Sequence, residues 1–249
     1  MNPSMQHKFV VVASQRTGST LLVRSLDSCP DIFCAGELFH AGSGVYHGEH
    51  QFPYRLLGSR ALSRLVRVHL NPRRVEEHLR LFYAHAAPHY VAIGFKLMVS
   101  QIHSFPTVIP FLVRQGTTLF YLYRNDTFDT AMSYYKAKKS GIYHSDKAGS
   151  NRTPVDITAD ESEFDDLVRT CQSDKDHLLH LHRRLGGHLL VYEDMTANWD
   201  SFVASIGERI GIPGLQIRRT LSKIGGAGGS VRVTNEDLLR ERFAARGKT

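Results

Sequence analysis

The sequence predicts an α/β fold of three layers, αβα, with a central and mostly parallel β-sheet. Short apolar runs rich in Val, Ile, Phe and Tyr alternate along the chain with longer segments whose apolar residues recur at helical spacing. The predicted strands are residues 9–13, 32–35, 90–98, 117–123 and 188–193. Because strands that alternate with helices pair in parallel and are buried on both faces, we expect helices above and below the sheet.

Capping residues and glycines locate the helices between these strands. Asp126 is expected to cap a helix that runs from Thr127 towards Lys139 and ends at Gly141. The other predicted helices are one that follows residue 18, two within 60–81 separated by Pro72, and those at 104–115, 161–185, 199–210 and 234–246. No linker or internal repeat is evident, so residues 1–249 are expected to form a single domain.

The composition is that of a globular protein with a basic surface. Hydrophobic residues make up 42% and charged residues 22% of the chain, and the net charge of +7 favours anionic partners. The basic residues are dispersed, so a nucleic-acid-binding arm is not indicated. Three cysteines without metal-site spacing indicate a reducing compartment, with neither a disulfide framework nor a metal site. No signal peptide or membrane-spanning run is evident, and we therefore expect a cytoplasmic protein.

The segment after the first predicted strand has the layout of a phosphate-binding loop. The apolar run is followed by Ser14-Gln15-Arg16-Thr17-Gly18-Ser19-Thr20 and then by Leu21, Leu22 and Leu26 at helical spacing. Free N–H groups and the dipole at a helix N-terminus attract an oxyanion. Gly18 allows its close approach, and Arg16 supplies a cationic fork. The Walker A pattern is absent, because no lysine precedes Ser19, so a triphosphate site is not expected.

The string Ser14–Leu22, SQRTGSTLL, resembles the 5′-phosphosulfate loop of sulfotransferases that use 3′-phosphoadenosine 5′-phosphosulfate (PAPS). The likeness is strongest to the bacterial carbohydrate branch, which includes trehalose 2-sulfotransferase and the Nod-factor sulfotransferase, although many relatives have lysine in place of Arg16. The resemblance implies a P-loop-like fold with PAPS as co-substrate and no metal. It also implies that the phosphosulfate is bound by Gln15, Arg16, Thr17, Gly18, Ser19 and Thr20.

A second phosphate-binding element is predicted at the end of strand 117–123. Arg124 follows this strand and Ser133 lies on the next predicted helix, so both side chains can reach one phosphate. The string YLYRNDTFDTAMSYY resembles the 3′-phosphate motif of sulfotransferases, with one residue more between the two positions. We expect that residue between Arg124 and Phe128, where it does not rotate the serine on its helix. Alternatively, Arg124 pairs with an acidic residue or caps a neighbouring helix.

Two weaker resemblances concern the second half of the chain. Val191-Tyr-Glu-Asp194 resembles a sulfotransferase segment whose tyrosine lies near the adenine, which implies that role for Tyr192. By its own pattern, Tyr192 is a half-buried strand residue. Sulfotransferases also close over the 3′-phosphate with a basic, glycine-containing segment near the C-terminus. Here Lys223 or Arg232 could supply that cation, although neither spacing matches the family.

Four residues are candidates for the chemical step. In-line sulfuryl transfer depends on positioning and on stabilising negative charge, for which Arg16 is placed. Lys96, within an apolar strand, is a second candidate cation; the alternative is a strand-end lysine whose amine reaches solvent. The resemblance implies Glu37 as the base that removes the proton of the acceptor. His40 is the competing base, because imidazole titrates nearer to neutrality.

The expected function is sulfuryl transfer from PAPS to a hydroxyl group of a carbohydrate, a glycolipid or another small metabolite. The polar stretches 41–50 and 140–158 are the surface segments expected to contact the acceptor, and the resemblance implies that the chain can form a homodimer. One alternative is a diverged phosphate-loop nucleotide kinase or NTPase, which the loop without lysine and the lack of an Asp-ended strand for magnesium disfavour. The other is a non-catalytic anion-binding module, suggested by net charge alone.

Overall fold

A parallel β-sheet forms the centre of the protein. The computed structural model describes residues 6–41, 46–52, 72–86, 89–141, 155–220 and 231–246, and structural statements refer to these residues. The strands are β1 (His7–Ala13), β2 (Ile32–Glu37), β3 (Ala92–Met98), β4 (Thr118–Tyr123), β5 (Val155–Ile157), β6 (His188–Val191) and β7 (Val231–Val233). The central sheet has the order β2-β3-β1-β4-β6 with all neighbours parallel, which confirms the predicted α/β class. Strands β5 and β7 form a separate parallel pair.

Helices connect the strands of the central sheet. They are α1 (Ser19–Asp27), α2 (Pro72–Ala86), α3 (Val99–Ser104), α4 (Val108–Arg114), α5 (Thr127–Ser140), α6 (Glu161–Leu185), α7 (Tyr192–Ala197), α8 (Trp199–Arg209) and α9 (Glu236–Arg246). The predicted caps of α5 are confirmed, because the Asp126 carboxylate accepts the N–H of Asp129 at 2.7 Å and Gly141 has φ 69°.

The two faces of the sheet pack against different helices, since alternate residues of a strand point to opposite faces. On one face, Val10 and Val12 lie in a core built with residues of α2, α3, α4 and α6. On the other face, Phe9, Val11 and Ala13 pack against α1, α7 and α8. All five side chains are inaccessible to solvent. The predicted three-layer αβα arrangement is thereby confirmed.

A third apolar cluster joins the C-terminal elements to α5. Phe128 and Tyr135 of α5 pack with Phe164 of α6, Val233 of β7 and Leu239 of α9. The cluster therefore holds the small β5–β7 sheet against the helix that carries Ser133.

The elements differ from the sequence prediction most clearly in three places. The last strand of the central sheet ends at Val191, and Tyr192 begins α7, whose first turn carries two acidic residues that favour a helix N-terminus. The helix predicted over 104–115 begins only at Val108, because Phe105 precedes Pro106 and adopts a non-helical conformation, and α3, at Val99–Ser104, was not predicted. Strand β5 lies within the stretch 140–158, where no strand was predicted, because its partner β7 is remote in sequence.

Some predicted segments lie wholly or partly outside the described residues. The first of the two helices predicted within 60–81 is one of them, whereas α2 begins at Pro72 as expected. Residues 42–45 and 142–154 of the two predicted surface segments are also outside. None of the helices in the described part of the chain combines the length and the apolar character that a bilayer crossing requires.

Candidate functional site

The candidate site residues lie at the carboxyl ends of the central strands. Parallel sheets bind ligands at this edge, because the loops that leave the strands meet there. Each of the five strands supplies a predicted residue or segment: the loop 14–18 after β1, Glu37 of β2, Lys96 of β3, Arg124 after β4 and Tyr192 after β6.

The loop between β1 and α1 has the geometry of an anion site. Gly18 is the N-cap of α1 with φ 77°, and Arg16 also has a positive φ of 62°. The Thr17 hydroxyl donates to the carbonyl oxygen of Ser14 at 3.0 Å and is buried. This bond closes the turn, so that the N–H groups of the first turn of α1 are left to face the loop. Ser19 is buried at the same helix end.

Tyr192 contacts both this loop and Arg124. A Cβ atom at Gly18 would lie 2.6 Å from Met195 Cε and 2.9 Å from Tyr192 Cδ2, so α7 packs directly on the loop. The guanidinium of Arg124 lies over the same Tyr192 ring, with its Cζ 4.8 Å from the ring centroid. Only glycine fits this contact, and the glycine therefore brings the aromatic ring and Arg124 close to the loop.

Arg16 and Ser133 connect the two predicted phosphate-binding elements. The Nε of Arg16 donates to the Ser133 hydroxyl at 3.0 Å, although 117 positions separate the two residues. Ser133 lies on α5, which follows the strand that ends before Arg124. Helix α5, which was predicted to bind the 3′-phosphate, thus contacts the loop that was predicted to bind the phosphosulfate.

Arg124 itself has acidic partners, as the alternative interpretation expected. It donates to Asp129 at 2.9 Å, and its Nε is 3.9 Å from a carboxylate oxygen of Glu193. Within the described residues, however, the Nε is buried without a hydrogen-bond partner. A buried guanidinium N–H without an acceptor is unfavourable, so an acceptor that reached this N–H would be favoured. The Ser133 hydroxyl is hydrogen-bonded to Arg16 and not to Arg124.

A buried polar network forms beside the loop, around Lys96. Its ammonium lies 2.9 Å from Glu37 Oε1 and donates to the Thr20 hydroxyl at 3.1 Å. The other carboxylate oxygen, Oε2, accepts from the side-chain amide of Gln101 at 2.7 Å. Lys96 is 6% exposed, so its amine does not reach solvent as the alternative interpretation expected, and its charge is balanced by Glu37.

The remaining predicted residues lie at the margin of the site or away from it. His40 is exposed, and its backbone N–H donates to the carbonyl of Glu37 at 3.2 Å. Gln15 is half-buried within the loop. Arg232 is 72% exposed and forms a two-pronged ion pair with Asp156 on the β5–β7 sheet. The other C-terminal candidate, Lys223, lies outside the described residues.

Sequence reasoning missed three residues of the site. Gln101 holds Glu37, Asp129 holds Arg124, and Met195 packs on Gly18. Gln101 had a local signal, because a glutamine at the third helical position commonly reaches back to the start of its helix. Asp129 is only five positions from Arg124, so its pairing was within reach of the alternative that gave Arg124 an acidic partner. The contact of Met195 with Gly18 joins two elements that are distant in sequence, and no local pattern encodes it.

Comparisons with known proteins identify the fold. No protein-family model matches the sequence, and no curated protein does. A sulfotransferase from Alicyclobacillus acidocaldarius matches with a TM-score of 0.52 at 14% identity, over 97% of this chain and 91% of that one. The sulfotransferase domain of the Synechococcus PCC 7002 olefin synthase matches with a TM-score of 0.50 at 15% identity, over 98% of both chains. The sulfotransferase domain from the curacin biosynthetic pathway matches with a TM-score of 0.50 at 15% identity, over 99% of this chain and 92% of that one.

These matches show that the chain has the sulfotransferase fold, as the resemblance of its first loop implied. The likeness extends over nearly the whole of this chain, and at 14–15% identity it concerns the fold alone.

Proposed function

We propose that this protein is a PAPS-dependent sulfotransferase of the bacterial carbohydrate branch, which transfers a sulfuryl group to a hydroxyl group of a sugar, glycolipid or other small metabolite. The observation that carries the proposal is the contact between Arg16 and Ser133 beside the stacked Tyr192 and Arg124. Arg124 stacks on the Tyr192 ring, the same ring packs on Gly18, and Arg16 belongs to the loop that contains Gly18, so two cationic residues and an aromatic ring occur at the carboxyl edge of the sheet. A nucleotide with phosphates at both the 5′ and 3′ positions matches this arrangement of charge and ring.

In this proposal the two elements bind opposite ends of the nucleotide. The N–H groups of the loop, Ser19 and Thr20 bind the phosphosulfate, with Arg16 as its cation. Arg124 binds the 3′-phosphate together with Ser133, and its Nε, which lacks a hydrogen-bond partner within the described residues, donates to that phosphate. Tyr192 stacks against the adenine.

The chemical step is an in-line displacement at sulfur. The acceptor hydroxyl oxygen forms a bond to sulfur and passes its proton to Glu37, while the bond from sulfur to the 5′-phosphate oxygen breaks and that oxygen keeps the electron pair. Arg16 and Lys96 stabilise the negative charge that develops on the phosphate and sulfuryl oxygens. Lys96 is suited to this role because it bridges Glu37 and Thr20 within one buried network.

The 3′-phosphate site is tested by comparing two ligands that differ in that phosphate alone. Isothermal titration with adenosine 3′,5′-bisphosphate (PAP) and with AMP should show tighter binding of PAP to the unchanged protein. In Arg124→Gln this preference should fall by about 1.5–3 kcal/mol, the usual contribution of a hydrogen bond to a charged group. Arg80→Gln is the matched control, because Arg80 also stacks on an aromatic ring, that of Phe111, and carries the same charge. An unchanged PAP preference in Arg124→Gln would contradict the assignment.

The reaction itself is tested with sulfur-35-labelled PAPS and a panel of sugars, glycolipids and other small hydroxyl compounds. A labelled sulfate ester on one of them is the expected result. Magnesium-dependent ATP turnover without PAP binding would instead favour the kinase, and salt-sensitive heparin or DNA binding without a nucleotide effect would favour the anion-binding module. The cytoplasmic location, the single domain and the homodimer stay predictions.

A further inference from the structure

A β-bulge sets the direction of Glu37. In the pairing of β2 with β3, Ala35 lies opposite Phe95, but Glu37 lies opposite Lys96, so one residue of β2 is left over at Gly36. Without this extra residue, Glu37 would lie opposite Leu97 and would point to the same face as Ala35. The bulge turns the carboxylate to the face of the sheet on which α1 and the phosphate-binding loop lie.

The orientation of the Gln101 side chain is determined by its two partners. Gln101 is the third residue of α3, and its Oε1 accepts the backbone N–H of Met98 at 3.0 Å. Because that N–H can only donate, the opposite end of the amide must be the NH₂ group. This NH₂ group donates to Glu37 Oε2 at 2.7 Å. A helix cap and a carboxylate are thus joined through one buried amide.

Glu37 has one donor on each carboxylate oxygen, Lys96 on Oε1 and Gln101 on Oε2. These two contacts prevent rotation of the carboxylate, and each oxygen keeps a second lone pair for another donor. The side chain of Lys96 is 8% exposed and that of Glu37 is 17% exposed, while Gln101 is a buried residue. Glu37 is therefore the member of this trio that a hydroxyl compound reaches most readily.

We propose that Gln101 is a positioning residue, which holds the carboxylate of Glu37 in the orientation that removes the proton from the acceptor hydroxyl. This inference rests on the proposed function, since it gives Gln101 a role through Glu37. Gln101 need not touch PAPS or the acceptor. Its contribution should therefore appear in the turnover of bound substrates and not in nucleotide binding.

The variant Gln101→Glu separates positioning from helix capping. A glutamate keeps an oxygen that accepts the Met98 N–H, which is a favourable cap at this helix position. It replaces the NH₂ donor by a carboxylate oxygen beside Glu37. We expect kcat for sulfuryl transfer from labelled PAPS, measured with the best acceptor of the panel, to fall about 100-fold near neutral pH, as misplaced catalytic groups do. The KM for PAPS and the affinity for PAP should be unchanged.

The pH profile gives a signature that a purely structural role would not produce. Two adjacent carboxylates bind a shared proton more tightly than one alone does. The acid limb of kcat/KM should therefore move to higher pH in Gln101→Glu. Gln172→Glu is the matched control. Like Gln101, Gln172 accepts one hydrogen bond and donates another to a carboxylate: it accepts from the Thr127 hydroxyl and donates to Asp176.

A double-mutant cycle with Gln101→Met and Glu37→Gln shows whether Gln101 acts through Glu37, and it can still be measured if Gln101→Glu does not fold. The double variant should be no slower than Glu37→Gln alone, because a base that is already removed cannot be misplaced further. Additive losses, a wild-type kcat in Gln101→Glu, or a loss confined to KM would each overturn the inference while leaving the sulfotransferase proposal intact. Absence of any transfer by the unchanged protein would overturn both.

Discussion

At the scale of single residues, Glu37 and His40 are close in sequence but differ in their surroundings. The Glu37 carboxylate contacts a buried lysine and a buried glutamine, whereas His40 is exposed at the end of the turn that follows β2. A base must be held near the reacting group, and the contacts of Glu37 provide this rigidity. The geometry therefore favours Glu37 as the base in the proposed reaction.

Glu37→Gln should lower kcat for sulfuryl transfer by about 10²- to 10⁴-fold, the usual contribution of a general base. PAP affinity should be retained, since the nucleotide contacts are on other strands. His40→Gln is the matched comparison and should keep most of the activity. Steady-state kinetics with labelled PAPS measures both, and a larger loss in His40→Gln would assign the base to the histidine.

Gly18 combines two demands that only glycine meets. Gly18→Ala should destabilise the protein, because φ 77° is left-handed and a Cβ atom would contact Met195 and Tyr192. Gly214→Ala is the matched control, since Gly214 has φ 70° and open space where the added methyl group would lie. Both changes carry the conformational cost of about 1–2 kcal/mol. Any further loss of unfolding free energy in Gly18→Ala measures the packing of α7 on the loop.

Urea unfolding measures the two stabilities, and titration with PAP gives the functional effect. Gly18→Ala should lose nucleotide affinity, whereas Gly214→Ala should bind PAP as the unchanged protein does. Equal losses of stability and affinity in both variants would show that the contact with α7 has no role.

At the scale of elements, the start of α5 determines how Arg124 and Ser133 are related. The helix begins at Thr127, so the extra residue between the two positions lies in the short segment after β4 or in the helix itself. Asp126 caps this start and is followed by a helix that packs in the third apolar cluster. The cap therefore fixes where the helix begins and how Ser133 faces the loop.

Asp126→Ala should lower the free energy of unfolding by about 1 kcal/mol, the usual cost of losing an N-cap. Asp160→Ala, which removes the equivalent cap of α6, should cost about the same. Only Asp126→Ala should also weaken PAP binding, because α5 carries Ser133. Chemical unfolding and titration measure the two effects, and unchanged PAP affinity in Asp126→Ala would separate the cap from the nucleotide site.

At the scale of the whole molecule, His47 joins the edge of the sheet to α1. Its Nε2 is 2.9 Å from Asp27, the last residue of α1, and its Nδ1 is 3.1 Å from Glu49. Burial lowers the pKa of His47, but the hydrogen bonds and charges of Asp27 and Glu49 outweigh burial and leave the pKa raised. The folded protein therefore holds this proton more tightly than the unfolded chain does.

This raised pKa predicts the sign of a pH effect on stability. The contribution of His47 is complete below the unfolded pKa of about 6.5 and is lost as the pH rises through the folded pKa. His47→Asn should reduce the fall in unfolding free energy on going from pH 6 to alkaline pH, and asparagine tolerates the positive φ of 54° at this position. Urea unfolding over this pH range is the measurement, and a slope identical to that of the unchanged protein would contradict the prediction.

The chain pattern by itself determined the α/β class, the parallel sheet, the caps of α5 and the loop 14–20, because these depend on apolar periodicity and on local turn and cap chemistry. The sequence also predicted a site residue or segment at the end of each strand of the central sheet. It could not assign their partners: that Ser133 contacts Arg16, that Arg124 pairs with Asp129, or that Gln101 holds Glu37.

The pairings of Ser133 with Arg16 and of Gln101 with Glu37 were decided by the tertiary structure alone, whereas Arg124 and Asp129 are five positions apart. The bulge at Gly36, the packing of α7 on Gly18 and the pairing of β5 with β7 each join segments that are distant in sequence. Such contacts depend on how complete elements pack against one another, and no local pattern of residues carries that information.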